Sequence, residues 1–216
     1  AEIIGYYRPL TFTLWRLLRL AQGWYHPPTL HAVNLALHAG NALLLAALLR
    51  RPAGRLAGWA AAVLFLLFPF SYQAVPWVGS LSHILVTSLT LASLYAALRG
   101  WRVASLALAA LAPFAHETGV LVAPLLALWR LVAEGGRGWR ALLRETAPYW
   151  FAARVGFLAW LLAPKSVGET GILNLESRWQ NAAYFAQGLA FPMAPLSRML
   201  LARSPFLNDL GAIALV

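Results

Sequence analysis

Long apolar runs, separated by short polar or arginine-rich segments, make up most of the sequence. The runs cover about residues 32–49, 57–76, 83–98, 101–115, 118–133, 147–164 and 183–201. Their length and hydropathy are typical of membrane-spanning helices, for which about 17 to 25 residues are usual. The pattern therefore predicts an all-α, polytopic transmembrane helix bundle of about seven spans.

The first 30 residues follow a different pattern. Leucines alternate there with Arg16 and Arg19 at helical spacing, which predicts an amphipathic helix lying along the outer membrane surface. We expect the chain to be part of a longer protein, because it begins with Ala1 and ends within an apolar run. The predicted parts are an outer amphipathic segment (1–30), a transmembrane core (31–164), a polar outer loop (165–182) and further, truncated spans (183–216).

The composition agrees with a membrane protein. Of the 216 residues, 61% are hydrophobic and 11% are charged, and the mean hydropathy is +0.65, which excludes a disordered chain and a water-soluble domain. The absence of cysteine excludes disulfides and thiolate metal sites. The net charge of +10 does not indicate a nucleic-acid partner, because the basic residues are spread over the ends of the apolar runs.

The arginines predict the orientation of the bundle. Nine of them lie in the connections after the first, third and fifth runs, whereas the connections after the second and fourth runs have no Lys or Arg. The positive-inside rule places the arginine-rich connections in the cytoplasm and residues 1–30 outside. The ratio of 16 Arg to one Lys is typical of GC-rich prokaryotes, so the predicted location is a prokaryotic plasma membrane.

Polar side chains on the first run form one stripe. His31, Asn34, His38 and Asn41 recur at spacings of three and four residues, so they share one helix face. Hydrogen bonding between helices is one interpretation, favoured for His38 and Asn41. His31 lies beside His26 at the predicted outer mouth, where a binding role is equally compatible with the pattern.

Three further polar residues fall at predicted outer ends of runs. His83 opens the third run, and His116 and Glu117 join the fourth to the fifth. They could bind a substrate, or Glu117 could be a solvated cap or an ion-pair partner. The histidines lack the close spacing of zinc ligands on one helix, so no metal site is predicted, and a divalent metal ion stays an open alternative.

Two arginines need anionic partners. Arg154 lies near the middle of the sixth run, where insertion of an arginine costs about 2.5 to 3.5 kcal/mol. An anionic headgroup and a carboxylate such as Glu117 are both possible partners, and a purely structural ion pair is the simpler interpretation. Arg8 is exposed in the simplest interpretation, but its guanidinium could also bind two oxygens of a lipid phosphate.

Several motifs, taken in order, resemble a known family. They are Tyr7-Arg8-Pro9-Leu10, His31-x-x-Asn34-x-x-x-His38-x-x-Asn41, Phe68-Pro69 with Ala74-Val75-Pro76-Trp77, and His116-Glu117. Together they resemble the amino-terminal membrane half of the GT-C glycosyltransferases, most closely the transmembrane and tetratricopeptide-repeat mannosyltransferases and their bacterial relatives. The resemblance covers about residues 6–133.

The resemblance implies a GT-C-like bundle that transfers a sugar from a polyprenyl-phosphate donor to an acceptor on the outer face. Arg8 would contact the donor phosphate, and the catalytic base would be an acidic residue upstream of Ala1. The implied partners are membrane lipid, the lipid-linked donor and other membrane subunits. The candidate substrate-binding residues are Arg8, His26, His31, Asn34, His83, His116 and Glu117.

The sequence also departs from the family. Gln73 and His83 stand where the tetratricopeptide mannosyltransferases have acids, and His116 stands where they have lysine. The scarcity of outer-face acids keeps a second hypothesis open, a non-catalytic GT-C-like accessory or scaffold subunit of a larger membrane complex. A transporter or flippase is a third hypothesis, based on the polar residues within spans, although no inverted repeat supports it.

Overall fold

A computed structural model describes residues 7–68, 75–133 and 138–162 of the chain. Within these ranges the chain forms helices and no strand, which confirms the all-α prediction. The α-helices are α1 (Pro9–Gln22), α2 (Pro27–Leu67), α3 (Leu81–Leu98), α4 (Arg102–Ala115), α5 (Val122–Ala133) and α6 (Trp139–Leu162). Two short 3₁₀ turns, Val78–Ser80 and Glu117–Leu121, precede α3 and α5.

Two of the described segments are long and apolar enough to cross a membrane, Pro27–Leu67 and Val78–Leu98. Helix α4 is apolar but shorter, with 14 residues. It begins after Trp101 and ends before His116, where the backbone is extended. The bundle of about seven spans is thus found only in part. The predicted loop at 165–182 and the apolar run at 183–201 lie outside the described residues.

The first two predicted runs form the two arms of α2. The helix is interrupted at Gly54, whose φ of 87° and ψ of 169° are not helical, and which therefore needs a residue without a Cβ atom. His38 on the first arm stacks on Phe65 of the second, with ring centroids 4.8 Å apart. A Cβ atom at Gly58 would lie 2.8 Å from the carbonyl oxygen of Ala46. The arms are consequently antiparallel and very close.

Small residues also let the other helices approach closely. Ala109, Ala112 and Ala115 of α4 are almost completely buried, and α4 packs against α1, α3 and α6. A Cβ atom at Gly156 of α6 would collide with the ring of Pro113. Close packing of small side chains is the usual way in which membrane helices associate, because lipid provides no hydrophobic driving force between them.

A buried hydroxyl network ties three helices together. Ser93 Oγ of α3 donates to the carbonyl oxygen of Ser105 at 2.9 Å, and Ser105 Oγ of α4 lies 2.7 Å from the carbonyl oxygen of Ser93. The Tyr149 hydroxyl of α6 is 2.8 Å from Ser105 Oγ. Both serines are fully buried, out of reach of water. These bonds therefore satisfy polar groups that would otherwise have no hydrogen-bond partner.

The arginine-rich connections gather at one end of the bundle. Arg51, beside the break in α2, donates to the carbonyl oxygen of Leu98 at the end of α3, at 3.4 Å. Arg102 and Arg130 line the same cavity of about 250 Å³, where Arg130 Nε is 3.9 Å from Glu145 Oε2. We call this the arginine-rich end. The 18 residues of α3, about 27 Å at 1.5 Å per residue, separate it from the opposite end.

Candidate functional site

Arg8 anchors the amino-terminal segment to the end of the bundle opposite the arginine-rich end. It directly precedes α1, and Pro9 occupies the first helical position, where its missing N–H costs nothing. The Arg8 guanidinium donates from Nη2 to Glu117 Oε1 at 3.0 Å and from Nε to Glu117 Oε2 at 3.3 Å. Its Nη1 donates to Ser82 Oγ at 3.1 Å. One side chain thereby joins α1, α3 and the turn before α5.

The turn that carries Glu117 is fixed by close backbone contacts. A Cβ atom at Gly119 would collide with the backbone of Ala112 and Pro113, so only glycine allows the 3₁₀ turn to fold back against α4. Thr11 of α1, which is buried, donates from Oγ1 to the carbonyl oxygen of Ala115 at 3.1 Å. These contacts fix the distance between α1 and Glu117.

His116 is held as a neutral imidazole. Its Nδ1 accepts a hydrogen bond from the backbone N–H of Thr118 at 3.2 Å, so the proton of the neutral ring belongs on Nε2. Nε2 lies 3.4 Å from Glu117 Oε1. The pKa of His116 is lowered to about 4: burial is the main cause, the positive charge of Arg8 and the neighbouring His83 add to it, and the Glu117 carboxylate opposes it.

Glu117 is held as a carboxylate. Burial by itself raises the pKa of Glu117, but the hydrogen bonds from Arg8 and from the backbone and the nearby His116 outweigh burial, so that the pKa lies below its ordinary value of 4.5. Its side chain is 38% exposed, against 15% for Arg8. The carboxylate is therefore the more accessible partner of the ion pair.

His83 completes the site. It lies one residue after Ser82 at the start of α3, and its ring centroid is 4.2 Å from that of His116. His83 is exposed, whereas His116 is buried. We refer to Arg8, Ser82, His83, His116 and Glu117 as the Arg8 cluster. It brings hydrogen-bond donors and one carboxylate together, and His83 and Glu117 are its exposed members.

The remaining candidate residues lie elsewhere. His26 precedes α2, where its Nδ1 is 3.1 Å from Thr29 Oγ1. Asn34 is fully buried and donates to the carbonyl oxygens of Val75 and Trp77, both at 3.3 Å. His31 is exposed. The structure thus brings four of the seven predicted substrate-binding residues together, and Asn34 ties α2 to the segment before α3.

The deeper part of the polar stripe is structural. Asn41 is buried and donates to the carbonyl oxygen of Ile84 at 3.1 Å, as expected for hydrogen bonding between helices. His38 is also buried, against Phe65. Neither contacts the Arg8 cluster in the described residues.

Arg154 does not share the carboxylate of Glu117. Arg8 holds that carboxylate, and Arg154 is exposed on α6, where it lines a groove between α5 and α6. Glu145, the other carboxylate within residues 7–68, 75–133 and 138–162, faces Arg130. The structural ion pair considered for Arg154 is therefore absent from the described residues.

Sequence reasoning missed Ser82, Thr118 and Gly119. Ser82 accepts from Arg8, Thr118 holds the His116 ring, and Gly119 permits the turn. Each is next to, or within three residues of, a predicted site residue. However, small polar residues and glycine at helix ends are too common to be recognised without the fold.

No metal site is evident in the described parts of the chain, which contain no group of three or more His, Asp or Glu side chains placed to hold an ion.

Comparison with protein-family models, with curated proteins and with solved structures found no match to this chain.

Proposed function

We propose that the chain is an integral membrane glycosyltransferase of the GT-C type, which transfers a sugar from a polyprenyl-phosphate donor. The observation that carries the proposal is the Arg8 cluster itself. Three regions of the sequence meet at one end of the bundle, and each resembles a GT-C motif or adjoins one. They contain Arg8, Ser82-His83 and His116-Glu117.

Two features of the described helices support a membrane location. Pro27–Leu67 and Val78–Leu98 are long and apolar enough to span a bilayer. Large apolar side chains also face outward within these segments, including Leu35, Leu43 and Leu64, each more than half exposed. Contact of these side chains with lipid has no free-energy cost, whereas their exposure to water is unfavourable. In this proposal the arginine-rich end is cytoplasmic, in a prokaryotic plasma membrane, and the Arg8 cluster faces outward.

In this proposal the members of the Arg8 cluster have different roles. Arg8 and His83 supply hydrogen-bond donors for the phosphate of the donor lipid, and the charge of Arg8 stabilises the phosphate as it leaves the sugar. Glu117 orients the Arg8 guanidinium through two bonds. With a pKa below 4.5, Glu117 is too weak a base to activate a hydroxyl near neutral pH. The base is therefore expected outside the described residues.

A transfer assay tests this proposal. The purified protein in lipid nanodiscs would be given a panel of radiolabelled polyprenyl-phosphate sugars, and release of polyprenyl phosphate would be followed. We expect turnover by the wild type. In Arg8→Ala the rate of transfer should fall about 100-fold, the usual effect of removing one electrostatic contact to the transition state. Arg16→Ala is the matched control, because Arg16 is an exposed arginine of α1.

The Arg8–Glu117 pair also favours a second candidate, a non-catalytic GT-C-like scaffold subunit of a larger membrane complex. In that role the two-point contact between Arg8 and Glu117 would only fix α1 to the bundle. The same assay separates the candidates. A scaffold would show no turnover with any donor of the panel, although Arg8→Ala would still lower its thermal stability.

A further inference from the structure

An open groove runs between α5 and α6, away from the contacts of the Arg8 cluster. Its volume is about 660 Å³, and its walls are almost entirely apolar, with Leu121, Trp150, Phe151 and Phe157 all exposed. Along α6 it extends from Leu143 to Phe157, about 21 Å at 1.5 Å per residue. This length is sufficient for a chain that fills one leaflet, since the hydrocarbon core of a bilayer is about 30 Å thick.

Among the described residues that line this groove, Arg154 is the one that carries a charge. It makes no hydrogen bond or ion pair with any residue of the described ranges, and the carboxylates of Glu117 and Glu145 face other arginines. A guanidinium on an apolar surface requires an anion that binds in the plane of its donors. The long apolar wall requires a hydrocarbon chain beside that anion.

We infer that the groove between α5 and α6 binds an anionic phospholipid, with an acyl chain along the walls and the phosphate on Arg154. Charge complementarity selects this occupant over a zwitterionic lipid such as phosphatidylcholine, because the choline cation beside the phosphate of that lipid opposes the positive charge of Arg154. The site is separate from the Arg8 cluster and does not depend on the proposed transferase activity.

Native mass spectrometry of the purified protein tests the inference. The protein would be released from nanodiscs that contain equal amounts of phosphatidylglycerol and phosphatidylcholine with identical acyl chains. Both headgroups carry a phosphate, but phosphatidylglycerol has a net negative charge, whereas the choline cation makes phosphatidylcholine neutral overall. We expect the wild type to retain phosphatidylglycerol at least fivefold more often than phosphatidylcholine. Arg154→Gln should abolish this preference, and Arg154→Lys should keep only part of it, because lysine retains the charge without the planar donors.

Two further variants make the result specific. Arg144→Gln changes an exposed arginine of the same helix that does not line the groove, and it should leave the preference unchanged. Ala147→Trp fills the groove and should reduce retention of both lipids. Thermal unfolding of each variant identifies any that fail to fold, and Arg154→Gln alters no internal packing, so the test does not depend on Ala147→Trp.

Three outcomes would overturn the inference. The first is an unchanged lipid preference in Arg154→Gln, and the second is an equal loss in Arg144→Gln, which would indicate a diffuse electrostatic effect. The third is a wild type that retains no lipid, together with a change of oligomeric state in Ala147→Trp, which would assign the groove to a second copy of the chain. None of these readouts uses transfer activity, so the inference and the proposed function can fail separately.

Discussion

Arg8 and Glu117, which are 109 residues apart in the sequence, form a two-point ion pair with N–O distances of 3.0 and 3.3 Å. The pair joins the segment before α1 to the turn between α4 and α5. Because Ser82 accepts a third bond from the same guanidinium, one side chain contacts three separate regions of the sequence.

Breaking this pair should destabilise the protein moderately. Glu117 is 38% exposed, so solvent weakens the attraction, and we expect Arg8→Ala and Glu117→Gln each to cost about 1 to 2 kcal/mol. Thermal unfolding in a fixed detergent measures the loss. The double variant should cost less than the sum of the single ones, and strictly additive effects would show that the two side chains do not interact.

Gly119→Ala should be more harmful than its size indicates. The new methyl group would collide with the backbone of Ala112 and Pro113, and helix backbones cannot move aside as a flexible side chain can. We expect a loss of about 1 to 3 kcal/mol. Gly40→Ala in α2 is the control, because nothing lies within 4 Å of its added Cβ atom. It should be neutral or should stabilise by up to about 1 kcal/mol, and equal losses in both variants would refute the close contact.

The hydroxyl network should be sensitive to loss of Ser105. Ser105→Ala would remove the hydroxyl between the carbonyl oxygen of Ser93 and Tyr149 and leave buried groups without partners, at about 1 to 3 kcal/mol. Ser88→Ala is a suitable comparison, since within the described part of the chain Ser88 donates only to the carbonyl oxygen of Ile84 in its own helix. That change should stay within about 0.5 kcal/mol. A similar midpoint of thermal unfolding for both variants would contradict the network.

Stability should fall as the pH is lowered from 6.5 towards 4. Burial lowers the pKa of His116 from 6.5 to about 4 in the folded protein, against the opposing effect of Glu117 and with contributions from Arg8 and His83. In this window the unfolded chain takes up a proton that the folded chain does not, so stability is complete above pH 6.5 and decreases below it. Glu117, whose folded pKa lies below 4.5, contributes stability that is lost only at still lower pH.

The pH effect can be assigned to His116 by substitution. In His116→Asn the amide oxygen can take the place of Nδ1 and accept from Thr118, and no group at this position titrates. Between pH 8 and pH 5 the wild type should lose roughly 1 to 2 kcal/mol, whereas the variant should lose much less. Parallel curves of unfolding temperature against pH for the two proteins would show that another group is responsible.

The helices could be predicted from the sequence because apolar runs and breaking residues mark them directly. The predicted run at 83–98 agrees closely with α3, and that at 101–115 agrees with α4. Helix α6 begins at Trp139, eight residues before its predicted run at 147, because Arg140, Arg144 and Glu145 interrupt the apolar residues of its first two turns and lower their mean hydropathy. The gap between the first two predicted runs contains the break at Gly54. The close approach of the two arms of α2 cannot be predicted from the sequence.

The Arg8 cluster could be predicted only in part. His83, His116 and Glu117 can be predicted because polar residues at the ends of apolar runs fall on one predicted membrane face, and Arg8 because its guanidinium suits a lipid phosphate. Their direct contacts depend on Gly119 and Thr11, which set how closely the turn and α1 approach α4. The sequence alone does not predict the pairing of Arg8 with Glu117, because Arg154 is an equally plausible partner for that carboxylate until the fold is known.

Binding of polyprenyl phosphate, compared with the uncharged polyprenol of the same chain length, tests the central claim most directly. Titrations in nanodiscs would use the wild type, Arg8→Ala and the double variant Arg8→Glu with Glu117→Arg. We predict a preference of about 10- to 100-fold for the phosphate in the wild type, equivalent to a charged hydrogen bond. The preference should be lost in Arg8→Ala and not restored in the double variant, even though the reversed pair regains stability. A wild type that binds both lipids equally, or an Arg8→Ala variant with an unchanged preference, would contradict a phosphate site at the Arg8 cluster and leave the ion pair with a structural role alone.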